Sequence, residues 1–127
     1  LSRCTITKSR LSGVQIYQSK LENVHFRDCK LDLANFRFSH FKNAIFSNCV
    51  MSEVDFLEAT FEHTVMEDCD LSRADFSGCK VKKLDLRGSQ IAAIRGTAGI
   101  AGATITAEQL ITLAPALARD LNFIIEN

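Results

Sequence analysis

Every fifth residue from Leu1 to Ile91 is apolar, without a missed step: Leu1, Ile6, Leu11, Ile16, Leu21, Phe26, Leu31, Phe36, Phe41, Phe46, Met51, Phe56, Phe61, Met66, Leu71, Phe76, Val81, Leu86 and Ile91. Two residues before each of them, from Cys4 to Ser89, stands a small or β-branched residue, with Leu84 as the one exception. A period of five fits neither the 3.6 of a helix nor the 2.0 of a flat strand. It fits a chain that turns a corner at every repeat and points one large residue inward each time. A short internal period of this kind predicts a solenoid, in which each unit buries its apolar side only against neighbouring coils.

The units Ala34-Asn35-Phe36, Ala74-Asp75-Phe76-Ser77-Gly78 and Leu84-Asp85-Leu86-Arg87-Gly88 resemble the pentapeptide repeat: a small residue, Asp or Asn, Leu or Phe, then two polar residues. The resemblance covers residues 1–95. It implies an all-β solenoid, a right-handed quadrilateral β-helix with four pentapeptides in each square coil of twenty residues. Coils stacked at about the 4.8 Å strand spacing would give a rod roughly 23 Å long. On that implied geometry a lag of twenty sorts the inward residues into four columns. They are Leu1, Leu21, Phe41, Phe61, Val81; Ile6, Phe26, Phe46, Met66, Leu86; Leu11, Leu31, Met51, Leu71, Ile91; and Ile16, Phe36, Phe56, Phe76. Phenylalanines then stack in three of the four, each contributing about 1.5–3 kcal/mol on burial.

Charges balance at fifteen of each sign, and no apolar run approaches the ~20 residues of a membrane span. The N-terminus shows no signal-peptide core. It lacks Met and begins within the repeat, so upstream coils or a cap are expected before it. The cysteines Cys4, Cys29, Cys49, Cys69 and Cys79 all take the small inward position, and Cys29, Cys49 and Cys69 form a ladder at intervals of twenty. They read as small hydrophobes interchangeable with Ala, Ser and Val. An odd number of inward thiols points to a reducing compartment, hence a cytoplasmic location.

His25, His40 and His63 fall at outward positions on two faces, with no Cys or carboxylate beside them at ligand spacing, so no metal site is expected. There is no phosphate loop, no nucleophile elbow and no paired carboxylates in a recognisable pocket. A filled rod has no cleft for a small molecule. The expectation is a protein that is no enzyme and carries no cofactor.

Charge is banded along the chain. Residues 1–42 hold eight bases against three acids. Residues 43–79 hold Glu53, Asp55, Glu58, Glu62, Glu67, Asp68, Asp70 and Asp75 against Arg73 alone, and residues 80–95 are basic again. The band is either an uneven solvated surface or an electrostatic belt for a basic partner. Apolar residues at outward positions are the other marker of a partner surface. Ile45 and Val65 should touch one coil apart on one face, and Tyr17, Phe38 and Leu57 should cluster on the adjoining face beside Asp55 and Glu58.

The frame ends at Ile91: Gly96 takes an inward slot, and Ile100 and Ile105 resume the spacing shifted by one. Residues 96–105 read as an irregular last coil whose Gly96–Gly102 run is small and flexible. Residues 106–127 read as a helix and tail. Thr106-Ala107-Glu108-Gln109 is a capping box, and Leu110, Leu113, Ala114, Leu117 and Leu121 form the apolar stripe. Pro115 should kink the helix or open its second half. Asn122 suits the stop, and Phe123-Ile124-Ile125 reads as a short β-type tail. Leu110, Leu113 and Leu117 would lie over the last coil as its cap. Apolar content then remains for a twofold dimer, so Leu110, Ile111, Leu113, Leu117, Leu121, Phe123 and Ile125 are the candidate dimer interface.

Function reads first as a non-catalytic scaffold rod binding another macromolecule, most simply a protein, with no direct nucleic-acid contact and no membrane. A narrower alternative comes from the resemblance. Some bacterial members of the family, quinolone-resistance and self-immunity factors, protect DNA gyrase by imitating DNA and dimerise through C-terminal helices. Against it, residues 1–91 carry no insertion, and the acidic band is short and flanked by basic coils, whereas a DNA mimic should be acidic along its length.

Overall fold

Backbone pairing advances by twenty residues per turn. In the computed structural model, which describes residues 1–127, Cys4 lies opposite Val24. Leu21 lies opposite Phe41 and Phe41 opposite Phe61, and Phe26 lies opposite Phe46 and Phe46 opposite Met66. All these pairings are parallel. The chain is a right-handed quadrilateral β-helix with a C-terminal α-helix, as the five-residue period and its resemblance predicted.

Two of the four faces are built of named strands. β1 (Ser2–Thr7) pairs with β2 (Lys20–Arg27), which turns the corner between the first and second faces. β3 (His40–Lys42), β5 (Thr60–Glu62) and β7 (Lys80–Val81) continue the first face. β4 (Ile45–Ser47), β6 (Thr64–Glu67) and β8 (Leu84–Asp85) continue the second. The third and fourth faces are joined by single bridges, Arg10 to Lys30 to Val50 to Asp70 to Gln90, and Gln15 to Asn35 to Asp55 to Asp75 to Arg95.

The inward columns fill the rod. Phe26, Phe36, Phe41, Phe46, Phe56, Phe61 and Phe76 are completely buried. Within columns their rings stack: Phe26 on Phe46 at 5.0 Å, Phe41 on Phe61 at 5.3 Å, and Phe36 on Phe56 on Phe76 at 5.7 and 5.2 Å. Between columns they meet edge to face, as Phe36 does Phe41 and Phe56 does Phe61, the two arrangements that ring quadrupoles favour. In the first coil Leu1 is exposed while Ile6, Leu11 and Ile16 are half-buried.

Up to Gly78, each corner is turned by the residue two places after the inward one, which sits in the left-handed region. Arg3, Lys8, Gln18, Asn23, Asp28 and their successors at intervals of five to Arg73 have φ between 46° and 61°, with Gly13 and Gly78 completing the series. No Val, Ile or Thr occupies any of these corners. That is the sterically required exclusion, since a β-branched side chain tolerates positive φ worst.

The last coil is one residue short. Asp85 pairs with Thr104 rather than one place further on, and the 3-10 turn Thr97–Ile100 absorbs the deletion. The expected flexible run is here a packed turn. Thr97, Gly99 and Ile100 are buried. A side chain at Gly99 would collide with the Phe76 carbonyl oxygen, and one at Gly96 would fall 2.5 Å from the Ser77 backbone.

The helix α1 (Ala107–Asp120) begins with the predicted capping box between Thr106 and Gln109 and runs continuously through Pro115. It ends in a Schellman arrangement. Asn122 is left-handed at φ 57°; its N–H donates to Arg119 O and that of Phe123 to Ala118 O. Two expectations are corrected here. The residues 123–125 pair with no strand and are exposed. The buried side of the helix is Gln109, Leu113 and Ala116, while Leu110 stays about half exposed at 49%. The rotation has a polar cause, because the end of a β-helix leaves backbone carbonyls that need donors. Gln109 Nε2 supplies them to Leu86 O at 2.6 Å and Ser89 O at 2.8 Å. Arg119 Nη2 donates to Ile94 O at 2.7 Å. Asp120 accepts from the Thr97 N–H and hydroxyl.

Candidate interaction surfaces

With its axis filled by side chains, the rod offers chemistry only on its outside. Each face shows the residue before and the residue after the inward one, with the corner residue at the edge. Ile45 and Val65 are partners across β4 and β6 on the second face, as expected. Tyr17, Phe38 and Leu57 belong to the fourth face. Two corners separate those faces, so the two apolar groups lie on opposite sides of the rod rather than on the adjoining faces that were expected. Within the fourth face Arg37 stands between Tyr17 and Leu57 in the same column, and the Phe38 N–H donates to Leu57 O. Tyr17 and Phe38 are 58% and 49% exposed, and Leu57 is half-buried.

One residue of this surface was missed. Leu33, 57% exposed, is left-handed at φ 61° on the corner leading onto the fourth face. Its signal was an apolar residue in a corner column otherwise filled mainly by Gly, Asn and charged residues.

The acidic band wraps the rod. Glu62 lies on the first face, Glu67 and Asp68 on the second, Asp70 and Glu53 on the third, and Asp55, Asp75 and Glu58 on the fourth. Several are already engaged. Asp55 pairs with Arg37 at 2.7 Å, and Glu53 with Arg73 at 3.7 Å. Asp55, Asp70 and Asp75 each accept the backbone N–H two residues on, to Leu57, Ser72 and Ser77. Glu62 meets His40 at 2.7 Å and Lys82 at 3.8 Å, and the His40 hydrogen bond, with the nearby lysines, holds its carboxyl below the usual range. The sequence expectation that no carboxylate stands beside a histidine is therefore corrected at His40. Coil stacking places residue 62 against residue 40, a neighbour invisible at short sequence spacing. The pair recruits no third ligand, and no group of three or more metal-binding side chains forms anywhere on the chain.

The thiol ladder is internal. Cys29, Cys49 and Cys69 are each 2% exposed and free of disulfides. Each donates to the carbonyl twenty-three residues back, at Ile6, Phe26 and Phe46, and Ser39 and Ser89 do the same to Ile16 and Met66. Burial pushes the Cys79 thiol up to about 12 and raises Cys29 as well. The neighbouring Cys49 thiol, and burial after it, raise Cys69.

The helix presents a second apolar side. Ala114, Pro115, Leu117, Ala118, Phe123 and Ile125 line an open groove of about 520 Å³. Beside it Leu110, Ile111, Leu121 and Ile124 are exposed. Of the candidate dimer residues, Leu113 alone is buried against the rod, and Leu117 is half-buried.

The family model of the pentapeptide repeat region matches residues 19–95, more than half of the chain. The chain belongs to the pentapeptide repeat family. Among solved structures, this pentapeptide repeat protein is similar to HetL, a pentapeptide repeat protein involved in heterocyst differentiation regulation from the cyanobacterium Nostoc sp. strain PCC 7120. The TM-score is 0.54 at 20% identity, over 74% of this chain and 38% of HetL. The chain therefore spans well under half of HetL's length, and the likeness is one of fold. A trypsin-treated form of QnrB1, a plasmid-mediated fluoroquinolone resistance protein, matches over 99% of both chains at 14% identity with a TM-score of 0.36. None of the curated proteins matches the chain by sequence.

Proposed function

We propose that this pentapeptide repeat protein is a non-catalytic interaction rod. It meets a protein partner through the fourth face and assembles as a twofold dimer through α1. The observation that carries this reading is the contrast between a rod interior packed solid with seven fully buried phenylalanines and two apolar surfaces left uncovered. On the fourth face, Leu33, Phe38, Tyr17 and Leu57 surround the Arg37–Asp55 pair, with Glu58 at the edge. Aromatic and apolar anchors around a charged pair are the composition of an interface centre. Leu33 and Phe38 also hold left-handed corners where Asn or Gly costs less, which supports a role for their side chains outside the rod.

For the helix, a second copy is the occupant that matches. The apolar ridge of Leu110 and Ile111 and the groove beside it lie on one element, as an isologous contact requires. The narrower reading, a rod that imitates DNA and binds gyrase, would rest on the acids, and these are spread over four faces and partly paired within the chain. The test is a tagged rod and its Tyr17→Ala, Phe38→Ala, Leu57→Ala variant of equal circular dichroism. A partner retained by the first and lost by the second supports the fourth face; equal retention removes it. A gyrase supercoiling assay with and without quinolone decides the narrower reading, since protection would establish it and inertness would end it.

A further inference from the structure

Sorted by face rather than along the chain, the charges separate. The first face, with its corner, carries Arg3, Lys20, Lys42, Lys80, Lys82 and Lys83 against only Glu22 and Glu62. The other three faces are balanced or carry one more acid than base. All six bases are exposed, and only Lys82 enters an ion pair, the 3.8 Å contact with Glu62. We propose that the first face is a docking plane for the surface of a bilayer rich in anionic phospholipid, recognised by its layer of phosphates and carboxylates.

Three observations select that partner. First, the face is flat and regular. Lys20, His40, Thr60 and Lys80 stand opposite one another across β2, β3, β5 and β7, with Glu22, Lys42 and Glu62 in the parallel row. A plane of cations meets a plane of headgroups across its whole extent, whereas a duplex is a convex cylinder that a flat face touches along a line. Second, the outward residues between its corners are all polar, and the exposed large apolar residues nearest to it, Phe38 at the rim and Leu1 at the end of its column, lie off that plane. None of these outward residues is an apolar anchor for a protein partner, and charge must supply the attraction. Third, five of the six bases are lysines. Lysine acts as a mobile point charge suited to a fluid array of headgroups, whereas a fixed phosphate is better gripped by the fork of arginine. The expectation of no membrane partner rested on the missing apolar span. No helix of this chain is long and apolar enough to cross a membrane, and that test says nothing of a peripheral contact.

The experiment is co-sedimentation of the intact chain with vesicles of phosphatidylcholine alone and of phosphatidylcholine with one-third phosphatidylserine, at low and high salt. Binding should need phosphatidylserine and be lost at high salt. Each lysine near such a surface contributes about fivefold in affinity, so Lys80→Glu, Lys82→Glu, Lys83→Glu should lower it at least about a hundredfold. Arg10→Glu with Lys30→Glu on the third face is the charge control and should lower it far less, with unchanged circular dichroism in both variants. No binding to the anionic vesicles at low salt, equal loss in both variants, or capture of a duplex DNA in preference to the vesicles would each overturn the proposal. None of these outcomes touches the fourth face or the dimer.

Discussion

Gln109 takes the place in the ladder that the next coil's small residue would have filled. Its Nε2 donates to the Leu86 carbonyl, twenty-three residues back, at 2.6 Å. Cys49 to Phe26, Cys69 to Phe46 and Ser89 to Met66 span the same interval inside the rod. The cap therefore continues the rod's own hydrogen-bond column with a longer side chain on a helix.

Gln109→Leu should accordingly cost about 1–3 kcal/mol, because it buries the Leu86 and Ser89 carbonyls without a donor. Leu110→Ser, on the exposed side of the same turn, should change monomer stability by under about 0.5 kcal/mol. Denaturant titration of both variants checks the rotation of the helix. The opposite ranking would restore the leucine stripe as the docking side.

The inward columns give a second contrast. Phe56→Ala, in a stack with Phe36 and Phe76, should cost about 3–5 kcal/mol. Asp55→Asn should cost under about 0.5 kcal/mol. Asn35 already makes the same bond to the N–H two residues on, and the exposed Arg37 pair is worth little. Similar losses at the two positions, measured by chemical denaturation, would contradict the frame.

How legible this was depends on which neighbour a residue answers to. Phe56 answers to inward packing, which repeats every five residues and is written directly in the chain. Gln109 answers to a carbonyl of the preceding coil, and hydropathy periodicity is blind to a polar side chain on the buried side of a helix. For that reason the apolar stripe placed Leu110 on the rod, where only Leu113 is buried and Leu117 half-buried. The separation of Tyr17 from Ile45 across the rod follows from counting corners, and the expectation of adjoining faces missed it. The cationic first face was hidden because Lys20, Lys42 and Lys80 are distant in sequence and meet only through the twenty-residue register.

The corners supply a third prediction. Leu33→Asn should stabilise the rod by about 0.5–1 kcal/mol, since Asn tolerates the left-handed region better, while Leu33→Val should destabilise it by about 1–2 kcal/mol. Thermal unfolding of the pair tests this. A Val variant as stable as the native chain would place residue 33 outside the left-handed region.

Asp120 gives a pH dependence. Its hydrogen bonds from Arg119 and from the Thr97 N–H and hydroxyl hold its carboxyl at about 2, below the roughly 3.9 of an unfolded aspartate. Its contribution is therefore complete above about pH 4 and lost as the pH falls toward 2. Asp120→Asn should flatten the stability profile in that window and leave its shape above pH 5 unchanged. Burial should protect the thiol ladder: Cys29, Cys49 and Cys69, each 2% exposed, should label slowly in the native protein and at once on unfolding.

If the cap keeps one side of its helix for a second copy, as proposed, the filled rod is a dimer in solution. Light scattering of the intact chain at micromolar concentration measures this. The expected mass is twice the 14.1 kDa of one chain, falling to a single chain in the variant Ile111→Glu, Phe123→Glu with the β-helix intact. An intact chain that is already monomeric would contradict it and leave α1 as a cap alone.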